Sequence, residues 1–370
     1  MAVYRIFPEK DTFISTEAPT GNAGKDEIIE IGGYPNFSLV GQTNRLLVQY
    51  RTSEIQDVIT NKVGAATYSA SLCLYLADAS EIPVDYNLYA YPISGAWDSG
   101  VGKFGDLPVN TSGVSWQYKQ AGLAAAWSTS SFTAGVTASF KSGSTQGGGN
   151  WYTGSAGINL EFTQSHILNS TNDVSINVTR AVQLINANTL TNNGFILKLP
   201  NNLEYNTTSS IRLKYFGVDT NTIYPPFLEF KWDDSSYNTG SLEVLSNSTS
   251  IINLTNSKGK YVDNGKQRFR LSARPKYPAR SFTTTSAYLT NYALPTASYW
   301  GLRDENTEEM IVDFDTNFTK ISCDPSGPFF DIYMDGLQPE RYYRLLVKTT
   351  LDGSTTVVDN QNIFKVVRNG

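Results

Sequence analysis

The chain almost lacks histidine, and this excludes many metal and catalytic sites. His166 is the only histidine among 370 residues, so neither a zinc site of several imidazoles nor a histidine-based two-metal centre can form. Glycine patterns of nucleophile elbows, phosphate-binding loops and dinucleotide-binding folds are also missing. Two carboxylates would suffice for a glycosidase, but the acidic residues have the pattern of turns and solvated faces. We therefore expect no enzyme activity, and we expect His166 to lie on the surface or on an edge strand.

Charged residues and cysteines are also scarce. Only 17% of the residues are charged, the formal net charge is -5, and no run of Lys or Arg occurs. This argues against nucleic acid as the main partner. Cys73 and Cys323 fall in what we predict to be different domains. A disulfide requires neighbouring Cα atoms, so we expect two buried free thiols.

Long apolar runs are absent as well. No stretch of about eighteen apolar residues is present, which is the length that a membrane-spanning helix needs. The opening segment, residues 1–8, lacks the charged and then apolar order of a signal peptide. We therefore expect synthesis in the cytoplasm, no export signal and no membrane partner.

Serine, threonine, asparagine, glycine and tyrosine are abundant instead, as is typical of turn-rich all-β proteins. Leu228, Phe230 and Trp232 alternate with polar residues, which predicts an antiparallel strand with one buried face. The length favours two domains. The polar stretch 233–240 then predicts a linker between domains at 1–235 and 241–370.

Residues 175–199 change their apolar period twice. Strand-like alternation at 175–178 is followed by helical spacing, so we predict a short helix near 179–187 with Thr179 as its N-cap. Asn193 and Gly194 then form a tight-turn dipeptide, and alternation returns from Phe195. The stretch predicts a strand, a short helix, a turn and a second strand.

This order of elements resembles DNRLRE-type modules, which are β-sandwich domains related in shape to carbohydrate-binding modules. The resemblance covers about the first 235 residues. Other segments that carry it are Lys10–Ile14, Ile28–Gly32, Asn44–Tyr50, Ala70–Leu76, Gly113–Gln117 and Pro226–Trp232. It implies an antiparallel, jelly-roll-like β-sandwich for the first domain.

Near the C-terminus, Leu337, Pro339 and Tyr343 resemble the tyrosine corner of fibronectin type III and other immunoglobulin-like sandwiches. The resemblance implies that the Tyr343 hydroxyl bonds back to the backbone of the preceding turn. We therefore predict an all-β protein in which the jelly-roll-like sandwich is followed by an immunoglobulin-like β-domain.

Aromatic residues outside the predicted cores are the candidate site. The polar, Gly-rich segment 123–162 has a composition that cannot build a core, so we predict a long excursion. Flat rings there would stack on sugars or contact proteins. The candidates are Trp127, Trp151 and Tyr152 in the excursion, and Tyr277 and Trp300 on a predicted arm of the second domain. For Trp151 a core position is equally open, and Trp97 and Trp116 are assigned to the core.

No cofactor is expected, and a bound structural calcium ion is the less favoured alternative. Asp11, Asn22 and Asp26 would supply oxygen ligands to a structural Ca²⁺. Their spacing is unlike an EF-hand, however, and turn-capping roles for Asp11 and Asn22 are favoured.

The combination of a DNRLRE-like module with an immunoglobulin-like domain resembles structural proteins of tailed-phage virions. This implies a non-enzymatic component of the neck, tail, baseplate or capsid surface. Its partners would be other virion proteins and copies of itself around a symmetry axis. The alternative is a carbohydrate-binding or adhesive module that stacks glycans, including host polysaccharide, on loop tryptophans.

Overall fold

A computed structural model describes residues 2–34, 42–80, 85–127, 136–138, 147–155, 157–167, 170–204, 210–279 and 286–368. The all-β prediction is confirmed, because mainly antiparallel sheets dominate and the helices are short. The chain divides into two compact units. The first unit comprises Ile6–Lys62 and Ser69–Glu229, and the second comprises Met1–Arg5, Val63–Tyr68 and Phe230–Gly370. The predicted domain limits, 1–235 and 241–370, stay a prediction.

The strands up to residue 232 form two main sheets and two short pairs. They are β1 (Ala2–Ile6), β2 (Lys10–Ser15), β3 (Ile28–Tyr34), β4 (Gln42–Gln49), β5 (Tyr68–Leu74), β6 (Leu76–Ser80), β7 (Tyr86–Pro92), β8 (Val136–Ala138), β9 (Asn150–Tyr152), β10 (Gly154–Ser155), β11 (Ile158–Asn159), β12 (Phe162–His166), β13 (Val174–Asn177), β14 (Phe195–Lys198), β15 (Ile211–Phe216) and β16 (Phe227–Trp232). The large sheet has the order β12-β7-β14-β4-β3-β15-β6, with β2 also paired to β4. The other sheet has the order β1-β16-β5-β13, and β8-β9 and β10-β11 are the short pairs.

Helical segments are short and connect the strands. They are α1 (Thr52–Asp57), which continues as a π-helical turn (Val58–Val63), α2 (Thr179–Asn186), α3 (Asn201–Glu204), and 3₁₀ turns at Ala121–Leu123, Ala287–Leu289 and Met334–Gly336. The helix predicted near 179–187 is confirmed as α2. Its predicted cap is wrong, because Val178 is the N-cap and the Thr179 hydroxyl accepts a hydrogen bond from Ala70 N at 2.8 Å. In the described part of the chain, no helix has the length and apolar composition to cross a membrane.

The second unit has the strand order of an immunoglobulin fold. Its strands are β17 (Ser250–Leu254), β18 (Lys260–Val262), β19 (Lys266–Pro275), β20 (Ser298–Asp304), β21 (Met310–Val312), β22 (Ser322–Asp324), β23 (Gly327–Tyr333), β24 (Tyr342–Leu351) and β25 (Ser354–Val367). The sheet β17-β19-β23-β22 corresponds to strands A-B-E-D, and β20-β24-β25 corresponds to C-F-G. The immunoglobulin-like prediction is therefore confirmed.

The predicted tyrosine corner is present. Tyr343 is buried at the start of β24, and its hydroxyl donates to Gln338 O at 2.8 Å. The bond satisfies a carbonyl of the turn that leads into the strand, and it fixes where β24 enters the sheet. Cys73 and Cys323 are buried free thiols, as the sequence predicts.

Candidate functional site

The three tryptophans among the candidate residues lie in the cores of the two units. Trp151 is only 4% exposed, and Trp127 and Trp300 are more deeply buried. Trp300 stands in β20, where its ring stacks on Phe330 at 5.5 Å, rather than on an extended arm. For Trp127 and Trp300 this burial corrects the expectation that the rings are presented to a ligand, and for Trp151 it agrees with the core alternative. Trp97 and Trp116 are buried as predicted.

A buried ion-pair cluster explains why the segment around Trp151 packs inward. Arg45 is fully buried, and its Nε and Nη2 donate to the Glu204 carboxylate at 2.9 and 2.8 Å. Its Nη1 donates to Gly148 O. The guanidinium lies 4.9 Å from the Trp116 ring centre and 5.4 Å from that of Trp151. A buried charge requires this complete set of partners.

Residues 147–152, here called the buried loop, therefore belong to the core. Gly147 has φ +132°, and a Cβ there would lie 1.9 Å from Trp116 O. The prediction that the excursion cannot build a core is wrong for this part. Residues 128–135, 139–146 and 156 of the excursion lie outside the described residues.

Tyr277 is the predicted residue that solvent reaches most. It is 74% exposed, whereas Tyr152 is half-buried. The Lys276 ammonium lies 5.6 Å from its ring centre. Nearby in sequence, Tyr288 and Leu289 are also exposed, and Arg274 lies 5.1 Å from the Tyr288 ring centre. We call Arg274, Lys276, Tyr277, Tyr288 and Leu289 the tyrosine patch. Sequence reasoning placed an arm here, but it did not single out Tyr288 or Leu289.

A second exposed surface was missed by the sequence reasoning. Residues 99–109, here called the exposed loop, hold four apolar side chains in solvent. These are Val101, Phe104, Leu107 and Val109, of which Leu107 is 91% exposed. The available signal was four large apolar residues in a segment that is rich in Gly and has no strand period.

Asn22 fixes the exposed loop from beneath. Its buried Nδ2 donates to Ser99 O at 2.7 Å and to Val114 O at 2.9 Å. Its Oδ1 accepts from Gly24 N and Gly102 N at 3.2 and 2.9 Å. The Asn22 side chain thus donates to and accepts from backbone groups only, and these four hydrogen bonds help to fix the loop conformation.

The three residues considered for calcium serve the backbone in this structure. Besides Asn22, Asp11 Oδ2 accepts from Val218 N at 2.7 Å, and Asp26 Oδ2 accepts from Phe104 N at 2.9 Å. Burial raises the pKa of Asp11 to about 7 and also raises the pKa of Asp26. Over the ranges that the structure describes, no group of three or more His, Cys, Asp or Glu residues is arranged to hold a metal ion.

A cleft of about 410 Å³ opens on the large sheet of the first unit. It is lined by Phe13, Asp26, Ile28, Glu30, Ala77, Asp78, Phe104 and Lys214. Lys214 on β15 is directly opposite Glu30 on β3 and Asp78 on β6. The Phe13 and Phe104 rings meet at one end, with centroids 5.2 Å apart and planes at 46°.

His166 lies on edge strand β12, as one alternative predicted, but it is buried. Its ring stacks on Tyr86 at 4.7 Å, and Nδ1 lies 3.0 Å from Thr171 O. Burial lowers the pKa of His166. Burial within the packing of β7 and β12 therefore favours the neutral imidazole.

No family model and no curated protein matches the sequence. Among solved structures, the chain is similar to a DUF4785 family protein from Legionella pneumophila, with 8% identity and a TM-score of 0.16. The match covers 98% of this chain and 66% of that one, slightly under two thirds of its length. A similarity of this size supports no argument about fold or function.

Proposed function

We propose that the protein is a non-enzymatic structural component of a tailed bacteriophage virion, from the neck, tail, baseplate or capsid surface. It acts through contacts with other virion proteins and with copies of itself around a symmetry axis. The observation that carries the proposal is the exposure of large aromatic and apolar side chains in the tyrosine patch. The resemblance of the two domains to phage structural proteins supplies the biological setting.

The tyrosine patch has the composition of a protein interface. Tyrosine and arginine are enriched where proteins meet, and tyrosine contributes a large contact area with few torsions to immobilise. Tyr277 and Tyr288 are exposed, so these rings contribute little to folding. Removing such a surface from water stabilises a complex, at about 25 cal/mol per Å² of apolar area.

The exposed loop supports the same role in the first unit. Leu107 is almost fully exposed on a backbone that Asn22 holds in place. A prearranged loop loses little conformational entropy when a partner covers it. Exposed apolar patches of this kind are characteristic of interaction sites.

The environment of the single histidine is consistent with a non-enzymatic role. His166 is stacked on Tyr86 and faces the core rather than the cleft. A general base must reach the proton that it removes, and this imidazole is enclosed by the fold.

The first experiment is mass spectrometry of purified particles from a phage that encodes this chain. We expect the protein as a stoichiometric component, and its absence from intact particles would contradict the proposal. The second experiment replaces Tyr277 and Tyr288 by Ser and measures incorporation into particles. Tyr342→Ser, at another exposed tyrosine of the second unit, is the control.

We expect the double variant to keep its melting temperature and to be depleted from particles, while the control is incorporated normally. Equal incorporation of both proteins would show that the tyrosine patch makes no virion contact.

A carbohydrate-binding or adhesive module remains the second candidate function. The loop tryptophans no longer favour it, but the cleft on the large sheet does. A glycan array on the isolated protein separates this function from a purely structural one.

A further inference from the structure

We propose that the cleft on the large sheet binds one uncharged sugar unit, such as a neutral hexose of a surface polysaccharide. The cleft lies wholly within the first unit, so it does not involve the tyrosine patch. Its volume of about 410 Å³ falls within the range of about 300–1,000 Å³ that is usual for small-ligand sites. The inference does not require that the protein belongs to a virion.

The aromatic end of the cleft supplies a flat apolar surface. Phe104 is 38% exposed, and its ring is backed by the buried ring of Phe13 at 5.2 Å. The Phe104 amide donates to Asp26 Oδ2, which fixes the backbone that carries the ring. The apolar C–H face of a sugar packs on such a ring, as apolar ligand surfaces do in most small-molecule sites.

The polar side of the cleft presents an acceptor, a donor and an acceptor in one row. Glu30, Lys214 and Asp78 are cross-strand neighbours on β3, β15 and β6. Adjacent strands are about 4.8 Å apart, so the row spans about two such steps. Lys214 Nζ lies 3.5 Å from Asp78 Oδ2, which leaves ammonium protons for a ligand hydroxyl.

The Glu30 carboxylate is positioned to accept a hydrogen bond from a ligand. Asn44 Nδ2 and Arg212 Nε both donate to its Oε1, at 2.7 and 2.9 Å. Within the described residues Oε2 receives no such bond, and a carboxylate has about four lone-pair sites. The two donors on one oxygen hold the carboxylate in place, and the other oxygen remains for a hydroxyl.

The charge of the cleft selects against acidic ligands. Asp26, Glu30 and Asp78 contribute three carboxylates, against the single ammonium of Lys214. Arg212 is already engaged by Glu30. A phosphate or a uronic acid would be repelled at close range, whereas the hydroxyls of a neutral sugar both donate and accept.

The test is saturation-transfer NMR and calorimetry on the full-length protein with glucose, galactose, mannose and N-acetylglucosamine. Glucuronic acid is the anionic comparison. We expect at least one neutral sugar to bind and glucuronic acid to bind more weakly. Failure of every neutral sugar, or stronger binding of glucuronic acid, would overturn the proposal.

Phe104→Ala locates the site, and Leu107→Ala on the same loop is its matched control. Both side chains are exposed, but only Phe104 lines the cleft. We expect Phe104→Ala to weaken sugar binding about tenfold and Leu107→Ala to leave it unchanged, with circular dichroism confirming that both fold. Unchanged binding by Phe104→Ala would place the sugar elsewhere and would also overturn the proposal. Particle incorporation of the tyrosine variants is a separate readout, so the two proposals can fail independently.

Discussion

The buried loop and the exposed loop of the first unit are both rich in glycine, yet their side chains point to opposite environments. In residues 147–152, Trp151 packs into the core and Gly148 O accepts from the buried Arg45. In residues 99–109, Asn22 serves the backbone, and apolar side chains such as Leu107 remain in solvent. In both loops, glycine lets the backbone come close to neighbouring atoms. The difference shows that the buried polar group that binds the backbone, Arg45 or Asn22, decides whether the side chains of the loop face the core or the solvent.

The largest expected effect tests the ion pair under the buried loop. Arg45→Met should lower the free energy of unfolding by about 3–5 kcal/mol, because it leaves the Glu204 carboxylate buried with only Lys198 as an ionic partner. Urea denaturation measures the change.

Arg51→Met is the control for that experiment, since Arg51 pairs with Glu54 and both side chains are largely exposed. It should cost no more than about 1 kcal/mol. Equal losses for the two variants would show that Arg45 does not hold the buried loop.

The next prediction compares one glycine from each loop. Gly147→Ala should cost about 3 kcal/mol, because its Cβ would collide with Trp116 O and its φ is +132°. Gly105 of the exposed loop has φ +87° with open space around it, so Gly105→Ala should cost only the left-handed strain of about 1–2 kcal/mol. Thermal unfolding of both variants tests the order, and a reversed order would contradict the assignment of the two loops.

The tyrosine corner extends the comparison of the two loops to a contact that the sequence did predict. Tyr343→Phe removes the donor to Gln338 O and should cost about 1–3 kcal/mol in the second unit. Its neighbour Tyr342 is exposed, so Tyr342→Phe is the control and should have no measurable effect. Chemical denaturation followed by tryptophan fluorescence distinguishes the two variants, and similar stability would mean that the corner bond is unimportant.

Asp11 contrasts with Arg45 because no ion pair to it is formed within the described residues. Burial raises the pKa of Asp11 from 3.8 to about 7, so the folded protein binds its proton more tightly than the unfolded chain does. The resulting stability is fully present below pH 3.8 and is lost as the pH rises through about 7. Between these two pH values, each pH unit should lower the free energy of unfolding by up to about 1.4 kcal/mol.

Asp11→Asn should remove this pH-dependent loss, as unfolding curves from about pH 4 to about pH 8 would show. The pKa of His166 is lowered, so its contribution has the opposite sign and is lost as the pH falls below 6.5. The difference in the free energy of unfolding between wild type and variant isolates the contribution of Asp11. If that difference stayed constant from about pH 4 to about pH 8, the raised pKa of Asp11 would be contradicted.

The smallest expected effect concerns metal removal. Since Asn22 braces the exposed loop through backbone hydrogen bonds, EDTA should leave the melting temperature nearly unchanged. A fall of several degrees that Ca²⁺ restores would show that a bound ion, and not the amide alone, fixes this region.

Features with a local period could be predicted from the sequence. The helix α2, the alternation of β16 and the role of Tyr343 each depend on residues close together in the chain. The position of Trp151 could not be predicted, because it depends on Arg45, which lies far away in sequence. The cleft likewise combines β2, β3, β6 and β15 with a loop.

The sequence by itself determined the all-β class, the immunoglobulin-like second domain and the burial of both cysteines. Alternation and corner motifs are short-range consequences of strand geometry and turn hydrogen bonds. Only the tertiary structure decided that Trp151 is buried, that Leu107 is exposed and that Glu30, Lys214 and Asp78 form one row. These outcomes depend on pairing between distant strands and on the need of a buried Arg45 for the Glu204 carboxylate, and neither is encoded by a local pattern.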